Sequence, residues 1–207
     1  MAAIPTEALI AQSPKTRIAA NSIIPRGMPG APNPFTVIAK GDGHSASASL
    51  PEQTLTLAYP KDSLSQSIAE QIQSTTAQTG KLKIIAEALP SNDAQVLHTL
   101  AKRYDLVLTL FGLDYHDPDQ LLSSFLAQGT HDLFNTSSAD LLEILQRARN
   151  STKEAERDRI YAAAAEYLQA KIAIVMPLFY RRRAYLLRPT FHLQKGASGT
   201  AKIQKIH

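Results

Sequence analysis

The stretch that most constrains this chain is a strand–helix–strand run carrying its own punctuation. LTLAYP, Leu55 to Pro60, is apolar like a buried strand, and Pro60 closes it. Asp62 or Ser63 is placed to cap a following helix by accepting a hydrogen bond from a free amide of its first turn. Leu64, Ile68 and Ile72 then recur every four residues, which draws one narrow apolar stripe along that helix. Gly80 sits where a helix end favours a left-handed residue, and KLKIIAEAL, Lys81 to Leu89, reads as a second strand. Two strands joined through a helix over so short a span form a βαβ unit, and its strands are expected to be parallel.

The pattern recurs. Ser91 or Asn92 can cap a helix running to Tyr104, with Val96, Leu97, Leu100 and Ala101 on one face. A third strand is predicted over Asp105 to Leu113, inside DLVLTLFGLDYHDP (Asp105 to Pro118). Asp117 and Pro118 then open a helix, the acid as cap and the proline at a first position that needs no amide donor. Leu121, Leu122, Phe125 and Leu126 form its apolar face. Ser137 or Ser138 caps a helix over 139–149 that should bury Leu141, Leu142, Leu145 and Ala148. Ser151 with Glu154 reads as a capping box for the next helix, which carries Ile160, Ala164, Tyr167 and Leu168 inward. KIAIVMPLFY, Lys171 to Tyr180, reads as a strand whose Pro177 argues for an edge or a bulge, and AYLL, Ala184 to Leu187, as another.

The ends are less regular. A short helix is expected over Glu7 to Ala11, followed by prolines at 25, 29, 32 and 34 and by the small, polar KGDGHSASASLPE stretch from Lys40. The expected organisation is an irregular lead-in over 1–53, an α/β lobe over 54–190 and a loose tail over 191–207. The lobe is a mixed, mainly parallel sheet flanked by helices.

Composition removes several classes of function. The chain has no cysteine, so thiol catalysis, disulfides and zinc thiolate sites are excluded. Its net charge of +4 gathers at Arg181 to Arg183 and in the Lys195 to Lys205 tail, too local to imply nucleic acid. The Arg181 to Arg183 run reads as a solvated hairpin. No apolar run approaches the roughly 18–20 residues that span a bilayer. The first residues, MAAIPTEALIAQS, lack the basic start and sustained apolar core of a secretory signal, so no export signal is expected within this chain. His116 and His131 with Asp114 and Asp132 lack the i, i+4 spacing of a ligating pair, and no metal or other cofactor is expected. No Ser-His-Asp set, P-loop or glycine-rich dinucleotide turn is present, so no enzyme is expected.

The acidic turn Asp114, Tyr115, His116, Asp117 stands at the end of a buried strand, where open α/β sheets place ligands. These are also ordinary turn residues, and Asp117 is better explained as the helix cap.

Several segments together resemble one family. FGLDYHDPDQLLSSF is similar to the G-W-x-x-D-Y-x-D-P-x-x-F-L segment of the peptide-binding proteins of ABC importers, bacterial extracellular solute-binding protein family 5. AANSIIPRGMPG (Ala19 to Gly30) resembles its A-x-S-x-I-P-P-G-x-x-G loop, and LTLAYP its L-T-L-x-Y-P strand. Ser138 to Leu142 matches its D-x-L-L turn, Arg157 with Tyr161 its R-x-x-L/I-Y helix, IVMPLFY its I-P-L-Y-Y strand, and YLLRP its R-L-V-K-P segment. The matches fall in the family's own order across residues 15–190. The family's A-x-x-L-L helix between loop and strand is replaced by the polar Lys40 to Glu52 stretch, and its N-terminal lobe has no counterpart here.

The resemblance implies the C-terminal lobe of a type II periplasmic binding protein, working as the oligopeptide-binding component of an ABC importer. Its partners would be an oligopeptide or similar small solute, an N-terminal lobe and the importer's membrane subunits. The full-length protein would be periplasmic or at the cell surface. Alternatives are a regulator's ligand-sensing domain with the same fold, or a lobe that binds nothing alone. Asp114 falls at the acid that receives the ligand's α-ammonium group, with the capping of a turn as its plainer role. Phe111 takes the place of the family's tryptophan, as an apolar wall beside the ligand or as plain core. Tyr115 would donate a hydrogen bond or face solvent, and Arg157 would hold a carboxylate inside the lobe.

Overall fold

Each strand of the βαβ run is bounded as its sequence dictates. In the computed structural model the first spans Gln53–Tyr59 (β2), the helix Ser63–Ala77 (α2) and the second strand Leu82–Ala88 (β3). The structure describes residues 6–11, 16–32, 51–78, 80–90, 99, 102–114, 116–126, 129, 132, 138–181, 186–195 and 201–205. Asp62 caps α2 by accepting from the Ser65 amide at 2.9 Å. Ile68, Ala69 and Ile72 are buried, and Gly80 follows the helix at φ +71. β2 and β3 are parallel from the Gln53–Leu82 pair to the Tyr59–Ala88 pair.

The third strand is shorter than its apolar run predicts. Only Leu106–Val107 (β4) pair with β2, in parallel, giving the order β3-β2-β4. Asp105 sets that register: Thr56 donates both its amide and its hydroxyl to the carboxylate at 2.8 Å, and the Asp105 amide donates back to the hydroxyl at 3.1 Å. The Leu108 amide makes a last bond to the Ala58 carbonyl. β2 then ends at Tyr59, and residues 109–113 are in no regular element and have no strand partner among the described residues. The expected helix between β3 and β4 falls mostly outside the described residues.

Two cores result. Leu9, Leu57, Ile68, Ile72 and Ile84 form the core of the sheet, between it, α2 and a short first helix, Thr6–Ala11 (α1). The second core is helical, built from Pro118–Ser123 (α3), Ala139–Asn150 (α4), Glu154–Glu166 (α5) and the loop carrying Ile23, Ile24 and Met28. Residues 17–32, though poor in regular structure, pack onto this core through Ile23, Ile24 and Met28. Arg17–Ala19 (β1) pairs antiparallel with Phe179–Arg181 (β5). Gln169 accepts from the Ile23 amide at 2.7 Å, and the Tyr180 hydroxyl reaches the Ser22 and Ile24 carbonyls in a bifurcated bond. Arg17 is buried, donates to the Leu9 carbonyl and lies over the Phe179 ring; burial and the facing Arg181 pull its pKa down.

The helix ends follow the sequence in one case and depart in another. Ser138 caps α4, accepting from the amides of Asp140 and Leu141. Leu141, Leu145 and Ala148 are buried, but Leu142 is 41% exposed, on the edge of the stripe. The Ser151–Glu154 capping box does not form, because the Ser151 amide closes α4 on the Arg147 and Ala148 carbonyls. Its hydroxyl instead faces Glu156 at 3.1 Å, and α5 begins after Lys153 without a side-chain cap.

α5 continues into a π-helical turn, Tyr167–Lys171, so the strand predicted from Lys171 is confined to β5. The turn ends at Ala173, which holds φ 53 while the Ile174 amide reaches back to the Leu168 carbonyl. Of the strand predicted at 184–187, Leu186 and Leu187 are not in strand, and the rest lies outside the described residues. The tail expected to be loose holds an antiparallel hairpin, Phe191–Lys195 (β6) with Ala201–Lys205 (β7).

Gly30 packs the loop onto α5. It sits at φ +73, and a β-carbon there would lie 2.6 Å from the Tyr161 β-carbon and 2.9 Å from the Asp158 carbonyl oxygen. Gly30→Ala incurs both the left-handed backbone penalty and a backbone clash, and should lower stability by at least about 2 kcal/mol in denaturant titration.

Candidate functional site

The segment after β4 crosses from one core to the other and ends in the acidic turn. Leu106 and Leu108 pack on the sheet core, while Phe111 and Leu113 pack on the helical one. The Phe111 ring lies 5.6 Å from that of Phe125, tilted by 33°, and is half-buried. It is thus a partly buried aromatic packed against the helical core. Leu110, between the two cores, is 62% exposed.

Asp114 is exposed, and its position is set by Gln120 in the first turn of α3. The Gln120 side-chain amide donates to Asp114 Oδ2 at 2.8 Å and accepts from the Asp114 backbone amide at 3.0 Å. Asp114 Oδ1 has no hydrogen-bond partner among the described residues. The arrangement fixes a carboxylate by one oxygen and leaves the other free to accept from a cation or an amide.

The start of α3 carries this clamp. Asp117 accepts from the Asp119 amide at 2.8 Å, and Pro118 occupies the first turn and is buried, as its sequence dictates. Asp119 is held by Arg149, at the end of α4, through Nε and Nη2, both at 2.9 Å. The same Nη2 donates to Ser123 at 2.7 Å. A planar guanidinium gripping both carboxylate oxygens fixes direction as well as distance. The clamp that joins a carboxylate to a helix here is Arg149's, whereas Arg157 Nε is buried with no hydrogen-bond partner among the described residues.

Gln120 and Arg149 were not among the residues the sequence singles out. Neither has a local signature, since Gln120 acts on a residue six positions back and Arg149 on one thirty positions back. Tyr115 and His131 lie outside the described residues. His116 is exposed, Asp132 is buried, and the described residues contain no group of three His, Cys, Asp or Glu able to hold a metal ion. Of the Arg181 to Arg183 run, Arg181 is exposed in β5 and the other two lie outside the described residues. No described helix is long and apolar enough to cross a membrane.

Comparison with known proteins places the fold. No family model matches the chain, and no curated protein matches it by sequence. Solved structures do. The Escherichia coli murein tripeptide binding protein MppA superposes with a TM-score of 0.74 at 16% identity, covering 92% of this chain and 40% of its own. The periplasmic binding protein DppA from Helicobacter pylori, in complex with peptide STSA, gives 0.70 at 19% identity, over 86% of this chain and 36% of its own. A structure titled peptide ABC transporter, peptide-binding protein gives 0.64 at 18% identity and is itself covered to 86%. The chain thus has the α/β fold expected from its motifs, shared with these binding proteins, and spans about two fifths of the first two.

Tyr161 connects this site to stability. Its ring is buried beneath the start of α3, and burial together with the Asp117 and Asp119 carboxylates pushes its pKa up to about 12. The unfolded phenol ionises near 10, so the folded form holds its proton longer, and the stability this provides below pH 10 is lost between about 10 and 12. Unfolding by denaturant at pH 9 and pH 11.5 should show the wild type losing on the order of 2 kcal/mol more than Tyr161→Phe.

Proposed function

We propose that this chain is the C-terminal lobe of a solute-binding protein that captures an oligopeptide, or a similar small solute with a free amino terminus, for an ABC importer. The observation that carries the reading is the Asp114 carboxylate, tethered through Oδ2 by Gln120 and open at Oδ1, at the end of the segment leaving the sheet. A carboxylate shielded from water when a second lobe closes over it would bind an ammonium group by a charge-assisted hydrogen bond, about twice as strong as a neutral one. Recognition through a terminal charge leaves side chains free to vary, which suits capture of many peptides.

Phe111, half-buried against the helical core, would offer the apolar wall beside that carboxylate. Tyr115, next in sequence to Asp114, would supply a donor. The protein performs no chemistry on its cargo in this reading. It would act in the periplasm or at the cell surface and hand its solute to the importer's membrane subunits.

A single lobe presents half a pocket, so this chain alone should bind peptides weakly, and calorimetric titration with peptide mixtures checks that. In the two-lobed protein, Asp114→Ala should weaken peptide binding by ~2–5 kcal/mol. Acetylating the peptide's amino terminus should abolish the difference between wild type and variant. An unchanged affinity for free peptides in Asp114→Ala would remove Asp114 from the site.

A further inference from the structure

β3 is an edge strand, with β2 on one side and no strand on the other among the described residues. The Gln53 amide donates to the Lys81 carbonyl, and the Leu89 amide to the Tyr59 carbonyl. The odd-numbered residues of β3 therefore turn their backbone groups toward β2. Leu82, Ile84, Ala86 and Ala88 turn theirs to the open side, a row of donors and acceptors ready to pair with another strand.

The side chains of this edge are self-complementary. Lys83, Ile85 and Glu87 share the face away from α2 and are all exposed, Ile85 to 46%. The other face carries Leu82, Ile84 and Ala86, which pack in the sheet core. An antiparallel copy turned about a two-fold axis at Ile85 sets Lys83 opposite Glu87 of the partner subunit, and the reverse on the other side of the axis. In that register Ile85 meets its own copy, and the outward-facing Ile84 and Ala86 form the hydrogen-bonded pairs. Odd-numbered residues then fall at the non-hydrogen-bonded positions, where cross-strand side chains lie closest.

We propose that two copies of this chain pair through β3, antiparallel about Ile85, so that two three-stranded sheets become one continuous sheet. The interface is isologous, as two-fold dimers require. It lies on the far side of β2 from β4, the strand from which the chain runs on to Asp114, and it does not rest on the proposed solute site.

Sedimentation of the 207-residue chain over a concentration series tests this. A monomer–dimer equilibrium is expected. Lys83→Glu or Glu87→Lys alone sets like charges opposite each other twice per dimer, and each should raise the dissociation midpoint about tenfold or more. The double exchange, Lys83→Glu with Glu87→Lys, restores opposite charges and should return the midpoint to within about threefold of wild type. Ile85→Lys, which places two ammonium groups at the axis, should also dissociate the dimer, with circular dichroism confirming that each variant is folded. A wild-type chain that stays monomeric, single exchanges without effect, or a double exchange that stays dissociated would each overturn the proposal.

Discussion

One segment ties this fold together by being anchored in two cores. Leu106 and Leu108 are fastened to the sheet, and five residues beyond Leu108 the chain, at Leu113, belongs to the helical core. A second segment repeats the pattern in reverse. Ile172, Ile174 and Val175 pack on the helical core, and Leu178 and Phe179 on the sheet core. Between such anchors a strand partner is unnecessary, because both ends are set by burial. Apolar burial is non-directional, so the orientation of these crossings has to come from polar bonds. Thr56 with Asp105 sets the first crossing, and Tyr180 with the Ser22 and Ile24 carbonyls sets the second.

The helical core depends in turn on close approach. Ala148, Ala164 and Leu168 are fully buried, and small residues let α4 and α5 draw near. The loop over Ile23 to Gly30 lies against α5 where no β-carbon fits, so a segment poor in regular structure becomes wall material. Tyr167 ties the far ends of the same helices: its hydroxyl bonds Ser138 at 2.7 Å and Asp140 at 3.2 Å. That couples the cap of α4 to the turn that ends α5.

What was legible in the sequence was whatever is decided locally. The Asp62, Asp117 and Ser138 caps and the 68/72 stripe each depend on residues within one turn of one another, and the structure has them. What failed was decided elsewhere. The apolar run after Asp105 looks like a long strand, yet strand length depends on how far β2 extends, which the run does not encode. Ser151 has the right spacing for a capping box but is already committed to ending α4. The left-handed position after α5 falls on Ala173, where a glycine would have signalled it. Proline density hid the loop at 20–32, whose buried Ile23 and Ile24 carry no periodicity. At the acidic turn Asp114 was visible by residue type, whereas Gln120 and Arg149 act through the fold alone.

Gln120 determines what the Asp114 carboxylate has to give. Its amide spans both the backbone and one oxygen of the same residue, so neither the turn nor the carboxylate rotates freely. A ligand that displaced Gln120 from Oδ2 would leave an amide group unpaired, which costs about 1–3 kcal/mol if the site closes dry. A ligand that took Oδ1 would break no bond with a described residue and would meet an acceptor already ordered, so little rotamer freedom would remain to be lost on binding. The same support runs outward through α3 to Asp119 and Arg149, placing the carboxylate on a helix end that is itself clamped to α4. In the proposed role, an acid held this way would select for where a donor sits as much as for its charge, a property that a loosely tethered turn residue would lack.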